Sequence, residues 1–448
     1  MGGDRQVRGR TAVRCAALTA AAVLLGARQA WPQYVPDYFP TGVPGYNQEM
    51  GVTVVTRVRP LYTEPGVRLG GFLFYPRLTQ SLGYNSNVAG SHDGPGSWLV
   101  ETNPSLQVQS DWGRNSLGAS FNVDNFRYPN TAVQSYTNWQ TVIGGGYTIG
   151  RGNLDFAYGH FSLNELPTDV GAPPSATPIP YTVDDLRSDY TFDLGALKII
   201  PNVDLSYWRY GATTKLDLTT LETPPFPQSY RDRNVIQGGA TFRYELSGRT
   251  DLLLVVQGTN SQFVNPQVIE FPPLSSKSAM ALGGIDYKYD GVWRYQLLAG
   301  MELRTFRGFV NRKEPVLQGT AIWTPTGLTT VTASALRTIA DPTTEGSSGY
   351  TESRVQIRVD HEYLRNVLLD AESGFENAAY FQGGGQSGYD LGGGITWLLN
   401  RDLRVSVHYQ FTERSSSSFL IESMTGRTRT ASRPFDQHQV LVQLVFGL

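Results

Sequence analysis

The feature that most constrains this chain is a period of two. In the last segment Val440, Val442, Leu444, Phe446 and Leu448 share one parity, while Gln439, Gln443 and Gly447 share the other, with Leu441 and Val445 as exceptions. Successive strand residues point to opposite faces, so this segment carries one greasy face to its last residue. The same alternation sets Leu403, Val405, Val407, Tyr409 and Phe411 against Arg404, Ser406, His408 and Gln410. It sets Val355, Ile357 and Val359 against Arg354, Gln356, Arg358 and Asp360. In a fourth segment Trp293, Tyr295, Leu297, Ala299, Met301 and Leu303 oppose Arg294, Gln296, Gly300, Glu302 and Arg304, and Leu298 breaks the pattern.

Applied throughout, the period-2 template predicts strands starting near residues 72, 101, 116, 137, 152, 186, 199, 232, 250, 278, 293, 315, 327, 351, 366, 387, 402 and 435. Short turns fall around Gly113, Gly150, Gly195, Gly248, Gly291, Pro325, Arg365 and Asn400, where Gly, Pro and Asn mostly supply hairpin geometry. Long connections fall between them, around 85–100, 127–136, 164–185, 211–231, 261–277, 307–314, 339–350, 378–386 and 413–434. Long and short connections alternate, and the strand count is even. These are the marks of an all-β, transmembrane antiparallel β-barrel of about 18 strands, with short periplasmic turns and long extracellular loops. Strands near 199 and 250 alternate poorly, which leaves sixteen as the alternative count.

Composition agrees. With 17% charged residues, 48 Gly and 24 Tyr, the chain is polar and rich in strand-forming aromatics. Past the extreme N-terminus no apolar run approaches the roughly 18 residues that a spanning helix needs. Residues 1–30 read as a signal peptide: Arg5, Arg8, Arg10 and Arg14 precede an apolar stretch from Cys15 to Ala27. Cleavage fits after Ala27 or Ala30, the second being disfavoured by Arg28. Its removal takes away five Arg and one Asp, so the formal charge moves from −2 to −6. An acidic mature chain gives no reason to propose nucleic acid as a partner. The single cysteine, Cys15, leaves with the signal, so neither a disulfide nor thiol chemistry is expected.

Aromatics beside the short turns provide a second test of the barrel. Trp112, Tyr147, Tyr244, Tyr287, Trp293, Trp323, Tyr363 and Trp397 each lie near a turn on the apolar parity of their strand. Position and parity together point to an interfacial girdle against outer-membrane lipid rather than to general enrichment of aromatics in strands. The alternating C-terminus, Val440 to Leu448, resembles the sorting signal by which outer-membrane barrels meet the barrel-assembly machinery. It departs from that pattern by ending on Leu448 instead of an aromatic residue.

Ahead of the barrel, residues 31–46 hold closely spaced prolines and aromatics, which exclude regular helices and strands. Residues 31–70 are therefore expected to be a Pro-rich periplasmic segment, extended or plug-like, with 71–448 forming the barrel. The stretch Val58-Arg59-Pro60-Leu61-Tyr62, followed by Gly66 to Pro76, resembles the lead-in to the first strand of the outer-membrane porin family known as β-barrel porin 2. The resemblance continues as a strand pattern to Leu448. It implies an outer-membrane channel of a Gram-negative bacterium, with relatives in exopolysaccharide and capsule secretion, and it carries no catalytic residues.

The polar parity should face the lumen. It offers Arg243, Arg294, Glu302, Arg304, Arg354, Arg358, Asp360, Glu362 and Arg404 as pore-lining candidates. Acids outnumber bases on this parity overall, which disfavours a pore tuned for a strongly anionic polymer. A local ladder of Arg294, Arg304, Arg354, Arg358 and Arg404 is the exception. Interleaved Glu302, Asp360 and Glu362 favour cross-strand pairing of that ladder over a free cationic surface.

The five histidines lack metal-ligand spacing, the glycine runs 144–146 and 392–394 precede no helix, and no nucleophile, base and acid are spaced as a catalytic set. No metal, cofactor or enzymatic activity is expected. The leading expectation is an exit pore for an exopolysaccharide or other carbohydrate, with the N-terminal segment facing periplasmic polysaccharide-export components. The alternatives are a general diffusion porin for small hydrophilic solutes and a structural or adhesive barrel whose Pro-rich loops matter most.

Overall fold

The computed structural model describes Val43 and residues 53–448, apart from 174, 215–224, 268–270, 289, 416–417, 424–425 and 432–433. The signal peptide and most of the stretch 31–52 lie outside the described residues. Eighteen long strands follow one another: β1 Phe72–Asn85, β2 Ser97–Ser110, β3 Ser116–Arg127, β4 Tyr136–Ile149, β5 Gly152–Glu165 and β6 Ile179–Asp193. Next come β7 Leu197–Tyr210, β8 Arg233–Ser247, β9 Thr250–Phe263, β10 Ser276–Tyr287, β11 Trp293–Phe306 and β12 Arg312–Thr326. The last six are β13 Thr329–Ala340, β14 Tyr350–Leu364, β15 Val367–Tyr380, β16 Gly384–Leu398, β17 Leu403–Arg414 and β18 Phe435–Gly447.

Each strand pairs antiparallel with its sequence neighbours, and β18 pairs with β1 from Arg77↔Gly447 to Asn85↔Gln439, so the sheet closes on itself. Closure leaves no unpaired strand edge. Short strands at Val67–Leu69, Ala212–Thr214, Pro225–Pro227, Ser418–Ser423 and Gly426–Ala431 extend the N-terminal lead-in and two of the long loops.

Period two decides which face goes where. Leu252, Leu254 and Val256 of β9, Leu297, Met301 and Leu303 of β11, and Val440, Val442, Leu444 and Phe446 of β18 are exposed on the outer wall. The opposite parity, including Asp251, Glu302 and Gln443, is buried inside. A wall that is apolar outside and polar within suits a hydrocarbon surround.

Two strands begin earlier than the alternation predicts. β6 starts at Ile179, not near 186, because its parity is inverted there: Ile179, Tyr181 and Val183 point inward and Thr182 and Asp184 outward. β2 starts at Ser97, not near 101, and its Leu99 is fully buried against Val88, Phe126, Tyr128, Tyr136 and Leu441. On the long-loop side, pairing also runs further than predicted, leaving only 307–311 and 381–383 as connections. The turn placed at Pro325 lies at Gly327 and Leu328, with Pro325 still in β12.

Candidate functional site

The lumen has two walls of different chemistry. Strands β18, β1, β2, β3 and β4 turn amides and hydroxyls inward. Asn85 Nδ2 donates to Gln439 Oε1 at 3.1 Å, Gln443 Nε2 to Ser81 Oγ at 3.2 Å, and Asn122 Nδ2 to Asp124 Oδ2 at 2.9 Å. Asn103, Asn138 and Gln140 belong to the same inward surface, and Gln140 Oε1 is buried without a hydrogen-bond partner. Phe126 and Tyr136 stack beside it with ring centroids 4.7 Å apart.

The adjoining wall, β14 to β17, is ionic and internally neutralised. Arg354 pairs with Glu352 at 3.0 Å and Glu376 at 2.7 Å, and Arg358 with Asp360 at 3.0 Å and Glu372 at 3.1 Å. Arg414 pairs with Asp390 at 3.2 Å. Nearer the short turns of β8 to β11, Arg243 reaches Asp251 and Asp286, and Arg294 pairs with Asp286. Near the opposite rim Arg304 binds Glu302 at 3.1 Å and Asp341 at 2.8 Å. All nine pore-lining candidates thus point inward, but they occupy several levels and do not converge on one site. The arginines do not form a free cationic ladder, because each has an acid beside it.

Long loops cross the mouth on their side. The 166–178 connection passes inward: Arg414 Nε donates to the Thr168 carbonyl at 3.2 Å, and the Gly171 amide donates to Gln386 Oε1 at 3.1 Å. Thr343 Oγ1 donates to the Gly171 carbonyl at 2.7 Å, and Tyr230 Oη donates to the Thr343 carbonyl at 2.8 Å. Loops after β5, β7 and β13 are therefore locked together. Arg231, from the loop after β7, makes a fully buried ion pair with Glu165 at 2.6 Å, and its guanidinium lies 4.1 Å over the Tyr210 ring. Gly171 has φ +82°, a conformation that favours glycine, and a Cβ there would lie 2.8 Å from Tyr350 Oη.

At the other mouth the N-terminal segment docks against the wall from β13 round to β1. The Val54 amide donates to Thr330 Oγ1 at 2.9 Å, and Val54 packs with Leu368, Leu398 and Tyr62. Arg59 Nη2 donates to Glu362 at 2.8 Å, and Arg401 Nε to the Pro60 carbonyl at 2.9 Å. Glu64 accepts from Arg77 Nε at 2.7 Å and from Arg404 Nη2 at 2.9 Å. Val43 is fully buried inside the barrel, among Phe161, Leu163, Ile179, Tyr181 and Trp208. Residues 31–70 are expected from sequence to lie in the periplasm; Val43 lies in the lumen and 53–64 in the mouth, because the inner wall offers apolar and charged partners there.

Sequence reasoning reaches Arg404 and Glu362 but not Glu64 and Arg59, since an irregular segment has no parity to follow. It likewise misses Arg231, Arg233 and Asp341, which meet through loops. The eight proposed girdle aromatics all lie on the outer wall close to the short turns. Trp293 stacks on Trp323 at 5.6 Å, Tyr287 on Tyr295 at 4.9 Å, and Trp112 meets Phe72 edge-on at 5.2 Å. Tyr147, Tyr244, Tyr363 and Trp397 are exposed there.

A closed even-stranded barrel, apolar outside and polar within, defines an outer-membrane porin-type protein. A family model described as putative beta-barrel porin 2 matches residues 59–429, and the chain belongs to that family. It is therefore an outer-membrane protein of a Gram-negative bacterium, from a family of channels rather than enzymes.

Among solved structures, the chain is similar to OpdK of Pseudomonas aeruginosa with vanillate: 14% identity, 84% of this chain and 99% of that one, TM-score 0.42. It is also similar to OccAB3 of Acinetobacter baumannii, at 9% identity, 85% and 100% coverage and a TM-score of 0.43. The FrpB iron transporter of Neisseria meningitidis matches at 11% identity, 84% and 82% coverage and a TM-score of 0.42. No curated protein sequence matches the chain.

Proposed function

We propose that this barrel is a gated outer-membrane channel for carbohydrate, the exit pore of an exopolysaccharide or of another sugar chain. The observation that carries this reading is the amide-rich wall from β18 to β4, where hydroxyls and stacked aromatics surround the few charged side chains, Arg77, Glu101 and Asp124. Amide and hydroxyl donors and acceptors beside aromatic rings suit a hydroxyl-rich chain, and the adjoining wall, already paired, offers little free charge to hold ions. The resemblance to barrels of exopolysaccharide and capsule secretion favours export.

In this reading the N-terminal segment meets periplasmic export components, Val440 to Leu448 address the assembly machinery, and the aromatic girdle sits at the periplasmic lipid boundary. Single-channel recording in planar bilayers tests the cargo. Currents that fall in steps as neutral oligosaccharides lengthen support a sugar pathway, whereas currents indifferent to sugar refute it. The locked mouths favour a second reading, a structural or adhesive barrel, which predicts no inducible current at all.

A further inference from the structure

Two inward arginines at the short-turn mouth, Arg77 on β1 and Arg404 on β17, close on one carboxylate, that of Glu64. Arg77 Nε lies 2.7 Å from Glu64 Oε2 and 3.0 Å from Oε1, and Arg404 Nη2 lies 2.9 Å from Oε1. All three side chains are largely buried, Glu64 almost completely. The carboxylate sits against the backbone of Gly447, where a Cβ would lie 2.5 Å from Glu64 Oε1. Arg404 Nε is buried and has no acceptor, so Glu64 leaves one donor of the site unused.

A pair of guanidinium groups holding one planar two-oxygen anion is a general carboxylate receptor. Here the ligand belongs to a segment whose other end, at Val54 and Arg59, is anchored on β13 and β14.

We infer that Arg77 and Arg404 form a carboxylate-binding site which Glu64 occupies in the closed channel, and that a carboxylated sugar arriving from the periplasm displaces Glu64 and releases the mouth. The sugar identity rests on the carbohydrate reading above; the site and its occupation by Glu64 do not. No bond is made or broken, and one carboxylate exchanges for another. An incoming uronate can also give Arg404 Nε the acceptor it lacks. Once Glu64 leaves, the segment stays tethered at Arg59 on β14, at Pro60 by Arg401 and at Val67–Leu69 on β1, and the stretch between these anchors lifts away from the β17–β1 side.

Planar-bilayer recording of the full mature barrel tests this with three proteins and three solutes. Glu64→Gln keeps the shape and removes the charge, and Gly447→Ala keeps the charge and crowds Glu64 out of its place. Each is expected to raise the open fraction by about tenfold or more over the parent, because two largely buried guanidinium groups lose their counter-ion or its fit.

In the parent, glucuronate on the short-turn side should raise the open fraction in a saturable way, glucose should not, and acetate should act only weakly. None of the three solutes should add to the opening of Glu64→Gln. Folding of each variant is checked by its heat-modifiable migration on gels. If both folded variants stay as closed as the parent, the latch is refuted. If they open but glucuronate does nothing to the parent, or acetate matches it, the carboxylated sugar is refuted as the trigger. If they open and neutral oligosaccharides then fail to block the current, the latch stands and the carbohydrate reading fails.

Discussion

Burial holds the Asp169 carboxyl well above the usual carboxylate range, although the Leu166 amide donates to it; Glu165 and Glu376 add to the rise and Arg414 opposes it. One of its oxygens is buried without a partner. An acid whose pKa is higher in the docked loop than in the free loop favours docking while both are protonated. That preference falls as pH climbs past the free value toward the docked one. Opening events should therefore become commoner toward alkaline pH, and Asp169→Asn should flatten the dependence; a parent indifferent to pH would contradict this.

A second residue-scale test removes one member of the fully buried Arg231 and Glu165 pair. Arg231→Gln should cost roughly 3–5 kcal/mol of loop docking, since it strands a buried charge. Faster hydrogen exchange of the amides around Gly171 and Thr343 would show the release. Gly171→Ala should weaken the same lock by about 1–2 kcal/mol, the penalty of the left-handed conformation for a residue with a Cβ.

Strands were legible where the sequence obeys one rule, apolar outward and polar inward, and they blurred where the interior itself is apolar. β6 is the clearest case: Ile179, Tyr181 and Val183 face inward against Phe161, Leu163 and Trp208, so its upper half reads with inverted parity. Leu298 breaks the pattern of β11 for the same reason, packing with Leu253, Leu282 and Val316 on the inner wall. A pattern rule reads only the contrast between faces, and there the contrast is lost.

Where parity holds it makes a prediction for the element. Arg at outward Leu254, in the middle of β9, should destabilise the barrel by about 2–4 kcal/mol, and Arg at inward Gln257 by much less. Reversible denaturant unfolding in lipid vesicles would measure both.

At the scale of the molecule, the candidate site is assembled by parts the sequence treats separately. The inward arginines were visible as a parity, but their partners come from elsewhere: Glu64 from an irregular lead-in, and Asp341, which joins Arg233 to Arg304, from a loop. Parity reports which way a side chain points, and nothing in it tells which distant segment will arrive beside it.

The receptor for Glu64 has a further consequence. Glu64 and Arg404 are 340 residues apart along the chain, and Gly447, against which the carboxylate rests, lies in the strand that completes the ring. The chain therefore makes its latch first and the socket for it last. Such a contact forms slowly and late, after the costly long-range pairing has been made. The seated Glu64 thus records that the ring has closed in the correct register, and a barrel lacking its final strand would keep the anchors at Val54 and Arg59 but leave the Glu64 end of the segment unseated.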